Sequence, residues 1–249
     1  MDKIVVIDCF PESVCRYRQG YAVVAVDVVR ATTTAITAAA SGRRCFPAAS
    51  LDEACALAAR LKDPLLVGEL GGIMPAGFDI NNSPAALAKR SDIDRPAVLL
   101  SSSGTRLCCA ATQCDAAFLA CLRNYTSTAK HLAQTFSKVA VIGAGTRDEF
   151  REEDQMCCAW VAGALTHCGF RPKDEATTNI IKRWRGARRD AWVGGNSTAY
   201  LRRSGQLEDL EFILDHIDDL SAVFSLRAGE VVLEPMIGGR QREKELAHG

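Results

Sequence analysis

The stretch from Val23 to Thr34, VVAVDVVRATTT, decides the fold. Its apolar first half is typical of a strand covered on both faces, and the alanine-rich run 35–40 before Gly42 is typical of a helix that ends there. Asp27 and Arg30 therefore fall at a strand-to-helix junction, where open α/β sheets bind ligands and free helix N–H groups favour anions. At that point the carboxylate suits the binding of a metal ion, and the guanidinium suits the binding of an anion. A helix cap paired with a surface arginine would give the same pattern.

Two later stretches repeat this order of strand, turn of small residues, arginine and helix. Residues 97–106 read AVLLSSSGTR and residues 139–147 read VAVIGAGTR. Neither is a Walker loop, and 143–147 lacks the third glycine of the dinucleotide fingerprint. Each alone is an ordinary βα turn, but three turns ending in arginine favour a small polyanionic substrate, since glycines, hydroxyls and arginine forks bind oxyanions. The candidate catalytic residues are Asp27, Arg30 and Arg106. The candidate substrate-binding residues are Thr32, Thr33, Ser103, Gly104, Thr105, Gly145, Thr146 and Arg147.

Carboxylates at several strand or helix ends could hold a hard cation. Glu69 follows the apolar run 65–67, and Asp79 shortly precedes a predicted helix with a Ser-Pro start. Glu153 and Asp154 begin a long helical segment, where the helix dipole alone would also explain acidic residues. Oxygen ligands without paired histidine or cysteine indicate Mg²⁺ rather than zinc. The candidate metal ligands are Asp27, Glu69, Asp79, Glu153 and Asp154.

Taken in order over residues 20–170, these blocks resemble the 2-phosphosulfolactate phosphatase (ComB) family. The resemblance rests on 27–34, on 68–69 with 77–79 and 82–84, on 103–106, and on 143–146 with 153–154. It implies a Mg²⁺-dependent acid phosphatase that hydrolyses (2R)-2-phospho-3-sulfolactate to 3-sulfolactate and phosphate, a step toward coenzyme M. Ser103 stands where the family pattern usually has asparagine, and little beyond residue 170 matches.

The residues favour a metal-activated water as nucleophile over Asp27. A phospho-aspartate mechanism of the haloacid dehalogenase kind expects a second aspartate two residues later, where this chain has Val29. A cysteine phosphatase needs arginine six positions after its cysteine, and none of the 11 cysteines has it. Two alternatives stay open: a phosphatase of another phosphorylated hydroxy acid, and a module that binds an anionic metabolite without turning it over.

Composition limits the remaining classes. The 249 residues, 48% of them hydrophobic, are enough for one α/β domain over 1–249, with a subdivision near 170 as the alternative. Zero net charge argues against a nucleic-acid partner. The start reads as a strand rather than a signal peptide, and no run approaches the roughly 18 apolar residues of a membrane span, so we expect a cytoplasmic protein without a membrane partner. A homo-oligomer is compatible with the sequence.

Alternating strand and helix patterns predict a three-layer α/β/α sandwich with a largely parallel or mixed sheet. Helices are expected at about 52–62, 84–90, 105–111, 126–136, 151–168 and 206–216, with a short one at 197–203. The basic stretch 182–189 is interpreted as a solvated loop that pairs with the acidic stretch 208–219, and 239–249 as a polar tail. The cysteines are interpreted as reduced core residues.

Overall fold

The computed structural model describes residues 2–146 and 149–235. The strands are β1 (Ile4–Asp8), β2 (Ala22–Val26), β3 (Cys45–Ala48), β4 (Leu65–Gly68), β5 (Ala97–Leu100), β6 (Ala116–Ala120), β7 (Lys138–Gly143), β8 (Arg171–Pro172), β9 (Phe224–Arg227) and β10 (Glu230–Leu233). The α-helices are α1 (Ala31–Ala40), α2 (Leu51–Ala58), α3 (Pro84–Ala88), α4 (Gly104–Ala111), α5 (Tyr125–Thr135), α6 (Glu152–His167), α7 (Glu175–Trp184), α8 (Asn196–Arg203) and α9 (Leu207–Asp215), and Pro11–Tyr17 is a 3₁₀ helix.

The strands form two sheets. The larger has the order β10-β9-β6-β2-β7-β1-β8, parallel from β6 to β8 with antiparallel β9 and β10 at one edge. The smaller, β3-β5-β4, is parallel. The predicted α/β/α sandwich with a largely parallel or mixed sheet is confirmed.

Strand β2 is central because both of its faces are buried. Val24 and Val26 pack into a core cluster with residues of α5 and α6, whereas Val23 and Ala25 pack into a second cluster with residues of α1 and α4. A strand enclosed on both sides reads as a continuous apolar run, which is why 22–26 carries no polar residue. The polar side chains that follow it are therefore delivered at its carboxyl end.

The helix predictions are close except in one segment. The predicted helices at 52–62, 84–90, 105–111, 126–136, 151–168, 197–203 and 206–216 correspond to α2, α3, α4, α5, α6, α8 and α9, with ends that differ by up to four residues. Helix α7 was missed. Asp174 caps it by accepting the Thr177 N–H (2.8 Å), and Thr177, Ile181 and Trp184 form its buried face.

The interpretation of 182–189 as a loop paired with 208–219 is wrong in two respects. Its first three residues are the last turn of α7. Arg183 pairs with Glu152 and Arg188 with Asp190, rather than with the acidic stretch, among the residues that the structure describes. The predicted tail at 239–249 lies outside those residues.

The cysteines divide by position. All are free thiols, five are buried in the core, and Cys15, Cys55 and Cys168 are exposed, so the core interpretation holds for only part of them. Across the same described ranges, no helix combines the length and the apolar character that crossing a membrane requires.

Candidate active site

The carboxyl ends of strands from both sheets open into one polar cavity of about 840 Å³. The loops that follow β2, β4, β5 and β7 all contribute to its wall. This is the edge at which open α/β sheets place their ligands. The predicted residues that line it are Asp27, Arg30, Glu69, Ser103, Arg106, Gly145, Thr146 and Asp154.

Asp27 is 7% exposed as a whole residue, and its carboxylate lies against the first residues of two helices. It accepts the backbone N–H of Ala31 in α1. The first residue of α4, Gly104, approaches so closely that a Cβ there would lie 2.0 Å from Asp27 Oδ2. Burial, together with the charges of Glu153 and Glu69, raises the pKa of Asp27 to about 7. The Ala31 N–H opposes this rise. Asp27 is thus a buried carboxyl that lacks full charge compensation.

Asp154 lies beside Asp27 and connects three elements. From the first turn of α6 it accepts the backbone N–H groups of Val28 (2.7 Å) and Ala144 (3.3 Å), in the loops after β2 and β7. Burial raises the pKa of Asp154 well above its usual range, and the charges of Asp27 and Glu153 act in the same direction. Two neighbouring buried carboxylates of this kind favour either a proton or a cation between them.

Glu153 and Glu69 are placed differently. Glu153 is buried, and its Oε1 has no hydrogen-bond partner among the residues that the structure describes. Burial raises the pKa of Glu153, but its side chain does not line the cavity. Glu69 lines the cavity, and it accepts the N–H groups of Gly72 (2.6 Å) and Ser102 (2.7 Å). It therefore ties together the loops that follow β4 and β5.

The structure does not bring the five predicted metal ligands together. Asp79 lies away from the cavity, where it accepts the Leu66 N–H (2.8 Å) and pairs with Arg95 (3.3 Å). Within 2–146 and 149–235, no three His, Cys, Asp or Glu side chains form a cluster that could hold a metal ion. What remains is the pair Asp27 and Asp154, an oxygen-only donor set. Mg²⁺ commonly uses one or two carboxylates and completes its shell with water and substrate oxygens, so this pair fits it.

Three predicted hydroxyl contacts are used by the protein backbone instead. Thr32 Oγ1 accepts the Asp27 N–H (2.9 Å), and Thr33 Oγ1 donates to the Val28 carbonyl (2.8 Å). Thr105 Oγ1 accepts the Ser101 N–H (2.9 Å). None of the three lines the cavity, so they shape the loops rather than contact a ligand. Arg147 lies outside the described residues.

Three of the four described arginines of the cavity fall into two kinds. Arg30 is buried and is held by Asp209, Gln206 and Asn81. Arg106 and Arg203 are exposed and line the cavity without a carboxylate partner among the described residues.

Sequence reasoning missed two arginines of this wall. Arg203 lies on α8, which carries no turn motif, and Arg151, which donates to Thr146 Oγ1 (2.9 Å), directly precedes α6. For Arg151 the available signal was its place just before the acidic first turn of α6, near the end of the third strand–turn block.

The sequence of this chain matches those of known proteins. A family model described as 2-phosphosulpholactate phosphatase matches residues 9–229. The chain belongs to this family. The resemblance drawn from the sequence blocks is therefore confirmed, and the match includes the C-terminal third, which the blocks did not cover.

Curated relatives of this family member carry the same description. A probable 2-phosphosulfolactate phosphatase of Symbiobacterium thermophilum is 31% identical over 225 residues, 86% of this chain and 94% of that protein. Proteins with the same name from Gloeobacter violaceus and a Synechococcus strain are 30% and 33% identical, over 86% and 66% of this chain and 91% and 70% of their own lengths.

We predict that Gly104→Ala destabilises this family member. The new Cβ would lie 2.0 Å from Asp27 Oδ2 and 2.6 Å from Ala31 Cβ, so α4 and the Asp27 carboxylate must move apart at a cost of about 1–3 kcal/mol. Urea denaturation measures the free energy of unfolding. The matched control is Gly163→Ala in α6, where nothing lies within 4 Å and helix propensity predicts a gain of up to about 1 kcal/mol. Equal stability of the two variants would contradict the close approach.

A second prediction concerns pH. Because the pKa of Asp27 is raised to about 7, the folded chain holds a proton that the unfolded chain releases above its ordinary value of 3.8. This stabilisation is complete below about pH 4 and is lost as the pH rises through about 7; it amounts to at most about 4 kcal/mol, since one pKa unit corresponds to about 1.4 kcal/mol. In chelator, Asp27→Asn should therefore flatten the fall in melting temperature between pH 5 and pH 8. An unchanged slope would show that Asp27 is not the titrating group.

Proposed function

We propose that this protein is a Mg²⁺-dependent phosphatase that hydrolyses 2-phospho-3-sulfolactate to 3-sulfolactate and phosphate. The observation that carries the proposal is the single cavity in which the buried carboxylates Asp27 and Asp154 meet four arginines. Membership of the 2-phosphosulpholactate phosphatase family and the names of the curated relatives support the reaction and the substrate. An anion-binding module would gain nothing from two uncompensated carboxylates beside its ligand.

The arginines of the cavity suit a substrate with several anionic groups. The proposed substrate has a phosphate, a sulfonate and a carboxylate. Arg30, Arg106, Arg151 and Arg203 line one cavity, and an arginine fork can bind each such group bidentately. Ser103 and Gly104 add the N-terminal end of α4, whose N–H groups favour an oxyanion.

In the proposed enzyme, Asp27 and Asp154 would hold the Mg²⁺. A bound Mg²⁺ supplies a Lewis acid for the phosphoryl oxygens and lowers the pKa of its water. The two side chains support a Mg²⁺ site, because both carboxylates are buried and neighbour each other. Their oxygen atoms are the kind of ligand that a hard cation prefers. Glu69 and Glu153 contribute negative charge nearby, and Asp79 has no part in the site.

The chain's own residues position the phosphoryl group and stabilise its charge. In phosphoryl transfer the transition-state charge is spread over the equatorial oxygens, so fixed guanidinium and N–H donors lower the barrier. We favour water over Asp27 as nucleophile. Gly104 covers Oδ2 of Asp27, and the Ala31 N–H already binds this carboxylate, which suits a fixed ligand better than a group that must form a covalent bond.

We predict that phosphate release from 2-phospho-3-sulfolactate requires Mg²⁺ and stops in chelator. Release of inorganic phosphate is measured for this compound beside a panel of other phosphorylated hydroxy acids. Asp27→Asn should lower kcat by at least about 100-fold while the melting temperature at pH 8 is maintained, because a neutral amide is a poor Mg²⁺ ligand.

Each other outcome of that assay removes a part of the proposal. Mg²⁺-dependent turnover of a different compound would keep the phosphatase and replace the substrate. Turnover that survives chelator would remove the metal. No turnover by the folded chain would favour an anion-binding module instead.

A further prediction tests the exposed wall of the cavity. Arg203→Ala should raise KM about tenfold or more and leave kcat within about threefold, because a charged hydrogen bond to a peripheral anionic group contributes ground-state and transition-state binding alike. Arg202→Ala is the matched control, since Arg202 is exposed on the same helical turn and does not line the cavity. Similar kinetic effects of both substitutions would show that only the general charge of α8 matters.

A further inference from the structure

The buried arginine of the cavity is fixed by a helix near the C-terminal end of the described chain. Arg30 Nη1 donates to Asp209 Oδ2 (2.5 Å) and to Gln206 Oε1, and Nη2 donates to Asn81 Oδ1 (3.1 Å). The side chains of Arg30 and Asp209 are only 3% and 2% exposed. The pair is therefore desolvated on both sides, unlike the exposed arginines of the same cavity.

Asp209 is itself fixed from the opposite direction. Its Oδ1 accepts the hydroxyl of Ser83 (2.6 Å) and the N–H of Ala85 (3.1 Å), at the start of α3. One carboxylate oxygen thus binds α3 and the other binds Arg30. A carboxylate held at both oxygens has a single orientation, and it imposes one on its partner.

The hydrogen bonds of Arg30 leave part of its guanidinium free. Of its five N–H groups, Asp209, Gln206 and Asn81 occupy three, and the remaining two have no partner among the described residues. Arg30 lines the cavity three residues after Asp27. Those two donors are the groups available to an oxyanion next to the carboxylate pair.

We propose that Asp209 is a positioning residue of the active site. It holds the guanidinium of Arg30 so that the two remaining N–H groups meet the phosphoryl group of the substrate, and it does not touch the substrate itself. This inference rests on the proposed function for the identity of the anion. It assigns α9 to the catalytic apparatus, although α9 contributes no side chain to the lining of the cavity.

A purely structural ion pair would behave differently from a positioning pair. Its loss would lower the melting temperature and leave the kinetics of the remaining folded protein unchanged. Loss of a positioning residue lowers turnover in the folded protein, because a displacement of about 1 Å can cost about 100-fold in rate. It also has no further effect once the positioned side chain is gone.

The experiment is a double-mutant cycle on the full-length chain with Asp209→Asn, Arg30→Gln and the double variant. The expected result is a fall in kcat of about 100-fold for Asp209→Asn in the presence of Arg30, and a change of about threefold or less in the Arg30→Gln background. Asp219→Asn is the matched control, because Asp219 forms a similar pair with Arg123 (2.6 Å) away from the cavity and should leave kcat unchanged. Equal effects of Asp209→Asn in both backgrounds, or wild-type kcat in the folded variant, would overturn the proposal.

Two additions keep the result decisive. If Asp209→Asn does not fold, Asp209→Glu keeps the charge and shifts the carboxylate by one methylene, and it should still lower kcat about tenfold, whereas a structural role predicts wild-type kcat. If the wild-type chain hydrolyses no phosphate ester, the double-mutant cycle is measured by the binding of inorganic phosphate. Asp209→Asn should then weaken phosphate binding about tenfold, and only when Arg30 is present. A wild-type chain that binds phosphate without this coupling would overturn the role of Asp209 independently of the reaction, and one that neither turns over nor binds phosphate would overturn both.

Discussion

The site depends on an incompletely compensated carboxylate at the end of the most buried strand. Asp27 can occupy this position only because Gly104 has no side chain and because the Ala31 N–H is directed at it. Asp154 adds a second buried carboxyl while it binds the loops after β2 and β7. Burying such charge is costly without a proton or a cation, so the same packing that fixes the loops also creates the demand for a positive ligand. Fold and chemistry are therefore coupled at one junction.

Opposite this acidic centre, the arginines divide the work of binding an anion. Arg30 has its charge compensated by Asp209 and its geometry fixed, so it contributes directed N–H groups more than net charge. Arg106 and Arg203 are exposed and have no carboxylate partner among the described residues, so they contribute charge and can adjust to the ligand. Fixed N–H donors such as those of Arg30 suit the reacting phosphoryl group, because preorganised dipoles stabilise the charge of the transition state. Exposed side chains that can adjust suit the other anionic groups of the substrate.

Much of this could be predicted from the sequence because the signals are local. Apolar runs followed by glycine, hydroxyl and arginine residues located β2, β5 and β7, and the alternation of strand and helix patterns located most helices. Distances between segments are not local, so Asp79 was grouped with Asp27 although its partner is Arg95. The hydroxyls of Thr32, Thr33 and Thr105 were assigned to substrate because a sequence does not show which backbone groups a side chain satisfies. Arg203 and Asp209 lie in helices whose composition is that of any amphipathic surface helix.

The C-terminal third adds helix α8 to the wall of the cavity at the carboxyl ends of the two sheets. Strands β2 and β7 of the large sheet and β4 and β5 of the small sheet end around one cavity, and Glu69 ties the loops of the small sheet together. Helix α8 reaches the same loop from the other side, since Tyr200 donates to the Gly72 carbonyl (2.7 Å), and its ring leaves no room for a Cβ at Gly72. Gln206 Nε2 donates to the Tyr200 hydroxyl (3.3 Å), and Gln206 Oε1 accepts a hydrogen bond from Arg30 Nη1. One chain of hydrogen bonds thus runs from the loop after β4 through α8 to Arg30, so the small sheet and the C-terminal third jointly fix the arginine that lies three residues after Asp27.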